Sequence, residues 1–490
     1  MPAPCVPISG RALRRFILVV GLTLLPSAAH AERQLFLDPG LIHHLEGAHL
    51  TVNPPQSSQV VLRPDRPWEQ ALISFYTTVI DENGKLRLWY ICRDIDNRPN
   101  LAYAESKDGV TWIKPELGIV DYHGSKRNNL VGVTSLDGAV YRDPHARSGE
   151  EYVFVGSAPT EGVYRFYSPD GLHWQRDARA LLPFRSDTQN VVFWDELSHG
   201  YALYLRGWNL AGRWEDRLRK VVRLDAKNLA EPLPIRPSGR GNNPGNANDR
   251  PRIVDEVPTV LEADARDPIG TDVYNLSVEP YPLDPRWYVG FPSLMLREKH
   301  ISDGRLEVYF VGSRDGRNWQ RYDRAAYAKL GLAGAENANM TFIGPGIVVR
   351  GDELWQFGTG FRNRHGAVEQ RKERADGVVC RYVQRIDGFV SLDFAQAGGR
   401  CVMQPVVATG ERLRLNLDTG VLGTLRVGLG DAEGHPIPGF SVEECDPIRT
   451  NSIRWEASWR GRTSLAALKG RSLRVEFLGS RTKLFSFYFD

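Results

Sequence analysis

Five acidic residues share one position in a repeated pattern of this chain. Each lies about fifteen residues before the second predicted strand of its repeat. They are Glu69, Asp137, Asp187, Asp272 and Glu336. Paired carboxylates hydrolyse glycosides: one gives a proton to the leaving oxygen, and its ionised partner acts as nucleophile or base. We predict a catalytic pair among the five, with Asp187 and Asp137 as first candidates. Each is also an ordinary turn residue at a strand start.

Side chains suited to binding a sugar lie close to the same strand starts. Aromatic rings offer flat apolar faces at Trp68, Tyr76, Tyr274 and Tyr281, and amides that could bond hydroxyls occur at Gln189 and Asn190. Arg206 could bind a carboxylate or a sulfate on the substrate. We predict Trp68, Asn190, Tyr274 and Arg206 as substrate-binding residues. Core packing and surface ion pairs are the alternative roles.

Two further motifs resemble known catalytic motifs but receive other interpretations. Arg142-Asp143-Pro144 resembles the Arg-Asp-Pro motif of sucrose- and fructan-cleaving enzymes. It lies late in a predicted first strand, so a hairpin turn accounts for it, and Asp143 is only a reserve candidate. Glu444-Cys445 resembles the acid/base motif of the same enzymes. It falls in a different predicted domain, so we interpret this match as accidental.

A hairpin motif repeats along the chain and predicts the elements that position these residues. Ser-x-Asp-Gly-x-x-Trp occurs at 106–112, 168–174 and 313–319, and degenerate copies surround Asp225 and Asp387. Asp-Gly supplies the positive φ of a tight hairpin, and the Trp is a large apolar anchor for the next strand. Strand-rich repeats at intervals of tens of residues indicate blades around an axis.

The predicted strands fall into two groups without sustained helical periodicity. The blade strands are 73–80, 86–91, 101–105, 139–142, 152–156, 163–167, 190–194, 201–205, 220–224, 273–278, 287–291, 306–311, 346–349, 354–357 and 378–383. Four more are predicted at 413–417, 424–429, 473–477 and 484–488. We therefore predict an all-β fold: a five-bladed β-propeller over 32–390, followed by a β-sandwich over 391–490. The Gly/Asn/Pro-rich segment 238–246 is a surface loop or a lid.

Residues 1–31 have the pattern of a secretory leader. Arg11, Arg14 and Arg15 precede an apolar run, and Ala29-His30-Ala31 fits a cleavage site. An uncleaved anchor is the alternative. Cleavage removes three of 62 basic residues and no acidic one, leaving 59 against 59. This balance favours neither nucleic acid nor an anionic membrane. We expect a periplasmic or secreted protein that is a monomer.

The cysteines show no metal-binding pattern. Cys92, Cys380, Cys401 and Cys445 remain after the leader, and none belongs to a CxxC or Cys/His motif. We therefore expect no metal and no other cofactor. Up to two disulfides, with Cys401–Cys445 the more local pairing, and free buried thiols are both compatible with the sequence.

Several segments resemble secreted bacterial proteins of the glycoside hydrolase family 32-like group. They are Leu35-Phe36-Leu37-Asp38, Pro67-Trp68-Glu69, Tyr103-Ala104-Glu105-Ser106-Lys107-Asp108-Gly109, Lys114-Pro115-Glu116-Leu117-Gly118, Asp387-Gly388-Phe389-Val390-Ser391-Leu392-Asp393 and Pro438-Gly439-Phe440-Ser441. The resemblance implies the five-bladed propeller shared by families 32, 43, 62, 68, 117 and 130, with a C-terminal sandwich. The Trp-Met-Asn-Asp-Pro-Asn nucleophile motif of family 32 is absent, so invertase or fructanase activity is not implied.

The sequence favours a glycoside hydrolase acting on a polysaccharide or oligosaccharide, and two other functions remain open. A non-catalytic propeller would bind saccharides and release no product. A polysaccharide lyase would use a base such as Tyr274 or a histidine and would form unsaturated products. The choice between retaining and inverting hydrolysis depends on the distance between the carboxyl groups, which a sequence does not contain.

Overall fold

The computed structural model describes residues 32–135, 137–158, 162–184, 186–209, 217–235, 257–367 and 375–490. The predicted leader and the segment 238–246 lie outside these residues. Regular structure in the described part of the chain consists of β-strands and short 3₁₀ turns, so the all-β prediction is confirmed. None of the described segments is a helix with the length and hydropathy that crossing a membrane requires.

The strands are short to medium in length, and 3₁₀ turns lie at Pro39–Leu41, Pro67–Glu69 and Ala466–Leu468. In chain order they are β1 (Gln34–Leu35), β2 (Ile42–Glu46), β3 (Ala48–Val52), β4 (Ser57–Leu62), β5 (Leu72–Glu82), β6 (Lys85–Arg93), β7 (Pro99–Ser106), β8 (Val140–Arg142), β9 (Tyr152–Ala158), β10 (Gly162–Ser168), β11 (Gln175–Arg176), β12 (Val191–Asp195), β13 (Gly200–Trp208), β14 (Arg219–Ala226), β15 (Thr259–Leu261), β16 (Thr271–Pro280), β17 (Tyr288–Arg297), β18 (Gly304–Val308), β19 (Val311–Ser313), β20 (Met340–Ile343), β21 (Val348–Arg350), β22 (Glu353–Phe361), β23 (Val378–Arg385), β24 (Val390–Phe394), β25 (Gly399–Met403), β26 (Val406–Val407), β27 (Leu413–Asp418), β28 (Thr424–Gly430), β29 (Asn451–Glu456), β30 (Ser472–Ser480) and β31 (Lys483–Phe489).

Strands β4 to β23 form four sheets, within which we distinguish five antiparallel groups and call them meanders; meanders 4 and 5 lie in one nine-stranded sheet, where β18 pairs in parallel with β20. Meander 1 is β5-β6-β7, meander 2 is β8-β9-β10-β11 and meander 3 is β12-β13-β14-β15. Meander 4 is β16-β17-β18, with β19 also on β17. Meander 5 is β20-β22-β23-β4, with β21 also on β22, so the N-terminal strand β4 is its outer edge. The first strand of meander 1 begins with eight consecutive buried residues, as expected for a strand covered on both faces.

The predicted first strand of meander 5 is only part of the observed edge. The sequence predicts it at 346–349, which overlaps β21, but β20, residues 340–343, pairs with the same edge of β22 and was not predicted. All four β20 residues are buried, so the run lacks the alternation that marks a half-exposed strand. Gly346 instead lies in the following loop with φ 110°, where an added Cβ would be 1.7 Å from the Val79 carbonyl oxygen. Only glycine permits this approach.

The Ser-x-Asp-Gly hairpins form as predicted and also join neighbouring meanders. In the second copy the Ser168 Oγ accepts a hydrogen bond from the Gly171 amide at 2.9 Å, and Gly171 has φ 75°. The Asp170 carbonyl accepts a bond from Arg87 Nη2 at 2.5 Å, across the boundary with meander 1. Arg381 of meander 5 and Arg223 of meander 3 reach the first and third copies in the same way.

Acidic residues at the ends of the first strands link each meander to the next. Glu82 and Asp195 accept hydrogen bonds from the Tyr152 and Tyr288 hydroxyls, and Asp143 accepts one from the Tyr201 hydroxyl at 2.7 Å. These three boundaries join meanders 1–2, 3–4 and 2–3. Asp143, the reserve catalytic candidate, therefore has a structural partner.

The remaining two boundaries complete a cyclic order of contacts. Glu279 of meander 4 accepts hydrogen bonds from the Gly346 and Ile347 amides of meander 5, at 2.9 and 3.2 Å. Meander 5 then contacts meander 1, because Val79 N donates to the Pro345 carbonyl at 3.1 Å. Every meander thus contacts the next, and the fifth contacts the first.

Glu279 makes the boundary between meanders 4 and 5 sensitive to pH. Burial raises the pKa of its carboxyl from 4.5 to about 7, although the two amide bonds oppose the rise. The folded state therefore holds the proton more tightly, and the stability from this group is present below about pH 4.5 and lost as the pH rises towards 7. We expect the free energy of unfolding of Glu279→Gln, relative to that of the native chain, to rise by about 1–2 kcal/mol as the pH increases from 4.5 to 7.5.

Urea unfolding at several pH values measures this gain. Glu116→Gln is the matched control, because the Glu116 side chain is 66% exposed. If the difference in unfolding free energy between Glu279→Gln and the native chain does not change with pH, the raised pKa assigned to Glu279 is wrong.

The remaining strands form two sheets that share one core. One sheet has the order β29-β27-β31-β24-β3, with β1 on β31, and the other has the order β2-β25-β30-β26, with β28 on β30. Leu415, Leu425, Phe477 and Phe487 are fully buried in their common core. Strands β1 to β3 thus belong with residues 390–490, whereas the sequence assigns them to the first domain. They supply edge strands, so this unit is discontinuous in the chain.

A buried carboxylate connects the two units. Asp387 accepts hydrogen bonds from Arg33 Nη1 at 2.6 Å, from the Tyr281 hydroxyl at 2.7 Å and from Ser486 Oγ at 2.6 Å. These partners come from the N-terminal segment, meander 4 and β31. All four cysteines in the described residues are buried free thiols, which decides the alternative that the sequence left open.

Candidate functional site

All five meanders line one cavity of about 320 Å³ through residues in or next to their first strands, at 78–81, 139–142, 191–193, 278–280 and 345–348. None of the five predicted acids lines this cavity. Asp137 precedes β8, Asp187 precedes β12, and Tyr274 belongs to β16. The predicted carboxylates are therefore judged from their own contacts.

Two of the five predicted acids act on the same buried hydroxyl. The pKa of the buried Tyr76 hydroxyl is raised well above its ordinary value, first by burial and then by Tyr274, Asp187 and Asp137, while Arg206 lowers it. Asp187 and Asp137 belong to different meanders, so the charges of both reach this hydroxyl through the fold. We use the name Tyr76 cluster for Tyr76, Asp137, Asp187, Arg206 and Tyr274.

Asp137 is buried and held in one orientation. Its Oδ1 accepts hydrogen bonds from the Ser157 amide at 2.6 Å and from Ser135 Oγ at 3.2 Å. Ser135 Oγ also lies 3.0 Å from the Ser157 carbonyl oxygen. Donors of this kind favour the ionised carboxylate, so Asp137 is suited to act as the charged member of a pair.

Asp187 differs from Asp137 because it is partly exposed and has a left-handed backbone, with φ 55°. Aspartate is among the few residues that tolerate this conformation, and strained positions of this kind occur often at functional sites. Its neighbours are anchored to other strands. Ser186 Oγ accepts a bond from the Arg206 amide at 3.1 Å, and Thr188 Oγ1 lies 3.4 Å from the Tyr274 carbonyl oxygen. The fold thus fixes the backbone on both sides of this carboxylate.

Arg206 and Asn190 have buried polar atoms that make no hydrogen bond among the described residues. Arg206 Nη2 donates to the Tyr274 carbonyl at 2.5 Å, and the guanidinium lies 4.6 Å from the centre of the Tyr274 ring. Among the described residues, Arg206 Nε and Nη1 and both amide atoms of Asn190 have no hydrogen-bond partner. Gln189 Oε1, by contrast, accepts a bond from Asn275 at 2.9 Å. Buried groups without partners are costly, so water or a ligand is expected beside them.

Asp272 lies at the predicted strand position but is part of an ion-pair network. Its oxygens accept bonds from Arg219 Nη1 at 2.6 Å and from Arg297 Nε and Nη2 at 2.8 Å. The Arg219 amide also donates to it, at 2.7 Å. Because all these donors hold a fully buried carboxylate, the geometry favours a structural role for Asp272.

Glu69 and Trp68 face the outer strands of meander 1. Glu69 accepts hydrogen bonds from the Tyr90 hydroxyl at 2.6 Å and from Lys114 Nζ at 2.7 Å. Trp68 Nε1 donates to Asn129 Oδ1 at 2.8 Å, and its ring packs edge-on against Tyr122. The structure therefore does not bring these two predicted site residues to the Tyr76 cluster.

Glu336 lies at the outer side of meander 5. It pairs with Arg362 Nη1 at 2.6 Å and with Arg63, a residue that directly follows β4. The pair with Arg63 directs the Glu336 side chain towards the end of β4, the outermost strand of its meander. Glu336, like Glu69, has the predicted position in the chain but a different direction of its side chain.

His365 is a part of the site that sequence reasoning missed. Its Nε2 lies 2.8 Å from the Tyr274 hydroxyl, and its ring centre is 5.7 Å from that of Phe75. From the sequence alone, we considered a histidine only as a possible base of a lyase, without a position. No spacing signal links residues 91 positions apart in different meanders. No group of three or more potential metal ligands occurs among the described residues.

No protein-family model matches the chain, and no curated protein matches its sequence. Several solved structures are similar to it. A family 43 arabinoxylan arabinofuranohydrolase from Bacillus subtilis, in complex with cellotetraose, is 11% identical over 88% of this chain and 99% of its own, with TM-score 0.38. A family 32 β-fructofuranosidase from Bombyx mori is 10% identical over 89% of this chain and 94% of its own, with TM-score 0.39.

A third similar structure has a different activity. An N-acetylgalactosamine deacetylase from F. plautii, in complex with blood group B trisaccharide, is 13% identical over 69% of this chain and 94% of its own, with TM-score 0.40. The similar structures thus include propeller-type glycoside hydrolases, some in complex with carbohydrates. At these identities and TM-scores the similarity carries no argument about this chain.

Proposed function

We propose that this protein is a glycoside hydrolase that acts on a polysaccharide or oligosaccharide at the Tyr76 cluster. The observation that carries the proposal is that Ser157 links the two acids: its amide donates to Asp137 Oδ1 at 2.6 Å, and its Oγ lies 3.4 Å from the amide of Ser186, the residue before Asp187. Glycoside hydrolysis needs two carboxyl groups in different protonation states. Asp187, which is partly exposed, is the acid that protonates the leaving oxygen. Asp137, which is held by Ser157 and Ser135, is the ionised partner.

The architecture that fits this proposal is a five-bladed β-propeller with an attached β-sandwich. The cyclic contacts of the five meanders support the propeller, and the shared core of the two remaining sheets supports the sandwich. In such a propeller the first strands are innermost, so their starts surround a funnel. Tyr274, Arg206 and Asn190 would then contact the sugar, the first of them through its ring.

We also propose that the chain is exported after removal of residues 1–31 and acts as a monomer. The basic, apolar and small-residue pattern of the leader supports export, and the neutral charge balance of the mature chain does not favour nucleic acid as a partner.

A glycan-release assay tests the proposed activity. The mature protein is incubated with a panel of neutral and acidic plant, algal and microbial polysaccharides, and reducing ends are measured. We expect release from at least one glycan, and no release from it by the Asp137→Asn/Asp187→Asn double variant. Saccharide binding without release would instead identify a non-catalytic propeller.

A polysaccharide lyase is the second candidate, favoured by the Tyr274–His365 contact beside Arg206. A lyase needs a base and a cation that faces the uronate carboxylate. Products with ultraviolet absorbance from a carbon–carbon double bond would identify this reaction in the same assay. Products without such absorbance support hydrolysis.

A further inference from the structure

The hydrogen bonds of His365 fix which of its nitrogens carries a proton. Nδ1 lies 2.5 Å from the Ser302 carbonyl oxygen, and Nε2 lies 2.8 Å from the Tyr274 hydroxyl. A carbonyl only accepts, so Nδ1 must donate, and Nε2 of the neutral imidazole is left as an acceptor. The Tyr274 hydroxyl therefore donates its proton to Nε2. A phenol and an imidazole in this arrangement can exchange a proton directly.

Three meanders build this pair. The His365 amide donates to the Gly304 carbonyl at 3.0 Å, and the Gly304 amide donates back at 3.3 Å, which holds the segment after β22 against meander 4. Phe75 of meander 1 packs against the imidazole, and its ring lies edge-on to Tyr274. Because backbone bonds and packing fix both rings, the contact does not depend on a single flexible side chain.

Two cations lie beside the Tyr274 ring. The guanidinium groups of Arg206 and Arg219 lie 4.6 and 5.2 Å from its centre. Arg219 is paired with Asp272, and Asp187 and Asp137 act on the neighbouring Tyr76. The charged neighbours of His365 include Arg364, which pairs with Glu298 and, at 3.7 Å, with Asp303.

We infer that the Tyr274–His365 pair is the base that activates the attacking water in the proposed hydrolysis. The Tyr274 proton passes to His365 Nε2, and the phenolate oxygen takes a proton from water. The resulting hydroxide forms the new C–O bond at the anomeric carbon. The old glycosidic C–O bond breaks, and its oxygen receives the Asp187 proton. The imidazolium, which is partly exposed, then releases its proton to solvent, and Asp187 is protonated again.

This assignment rests on the proposed function and gives each carboxylate one task. Asp187 is the acid. Asp137 is almost completely buried, at 2% exposure, so it stabilises positive charge at the reacting carbon without contacting the water. Tyr274 is the catalytic residue that touches the water, and His365 is a positioning residue that holds its proton.

Nitrogen NMR of histidine-labelled protein tests the pair without a substrate. We expect the His365 Nε2 signal, assigned by its loss in His365→Asn, to have the shift of an unprotonated acceptor near pH 8. Tyr274→Phe should move this signal. A protonated Nε2, or a signal that Tyr274→Phe leaves in place, would overturn the inference.

Enzyme kinetics test the role of the pair as a base, with the glycan identified by the release assay as the substrate. We expect Tyr274→Phe to lower kcat about 10²–10⁴-fold, as for loss of general base catalysis. His365→Asn should remove the acidic limb of the kcat/KM profile, which the native chain shows near the ordinary histidine pKa of about 6.5. His123→Asn is the matched control, because His123 is exposed and has φ 51°, which suits asparagine.

The outcomes separate this inference from the proposed function. If Tyr274→Phe and His365→Asn keep the native rate and pH profile while Asp187→Asn is inactive, the inference fails and the hydrolase stands. If no glycan is cleaved, or Asp187→Asn has the native rate, the proposed function fails and the inference fails with it.

Discussion

Asp187→Asn is expected to lower kcat about 10²–10⁴-fold on the cleaved glycan, since acid catalysis contributes a factor of this size. The variant should fold normally. Position 187 has φ 55°, and asparagine adopts left-handed backbone at least as readily as aspartate. The substitution therefore removes the ionisable group with little change in backbone energy. KM should change little, because the proton is transferred only in the transition state.

Asp96→Asn is the matched control for this prediction. The Asp96 side chain is 54% exposed and pairs only with Arg98. Activity and melting temperature of the control should equal those of the native chain. If Asp187→Asn turns over the glycan at the native rate, the assignment of Asp187 as the catalytic acid is wrong. A lower rate accompanied by a lower melting temperature would indicate a structural role for Asp187.

Arg223→Met is expected to destabilise the protein by about 3–5 kcal/mol, because it leaves a buried carboxylate without its cation. Arg223 and Asp195 are each 1% exposed and form an ion pair, and Arg223 also lies 3.1 Å from the Asp315 carbonyl oxygen. Methionine keeps an apolar stem of similar length. Asp195 would then keep the Tyr288 hydroxyl and the Leu197 amide as partners but would lose its cation at the boundary between meanders 3 and 4.

The loss should depend on pH. Although burial alone raises it, the pKa of Asp195 is lowered in the native chain because Tyr288 and Arg223 hydrogen-bond its charged form. The stability from Asp195 is therefore present above its unfolded pKa and lost as the pH falls. The difference between Arg223→Met and the native chain should shrink towards pH 4 in urea unfolding. The double variant with Asp195→Asn should recover part of the loss.

Arg454→Met is the control, because it removes the cation of an exposed ion pair instead of a buried one. Arg454 and Asp352 are 63% and 62% exposed, so their ion pair is expected to contribute less than about 1 kcal/mol. A loss below about 1 kcal/mol for Arg223→Met would contradict the role given to the buried pair.

The sequence was informative about strands and turns because their signals are local. The Ser-x-Asp-Gly motif requires only a positive φ and a few bonds within the hairpin, and the three copies form as predicted. The fully buried strand β20 was missed because it lacks alternation. The N-terminal strands were assigned to the wrong unit because strand pairing over hundreds of residues leaves no mark on the local pattern.

By itself the sequence determined that the chain is all-β, where most strands lie and that acids precede the first strands. Only the tertiary structure decided where those acids point. The charges of Asp137 and Asp187 act on Tyr76, whereas Glu69, Asp272 and Glu336 bind arginine, lysine and tyrosine partners. The physical reason is that spacing sets a residue's position along the chain, while the direction of a loop side chain depends on partners that are distant in sequence, as for Tyr274 and His365.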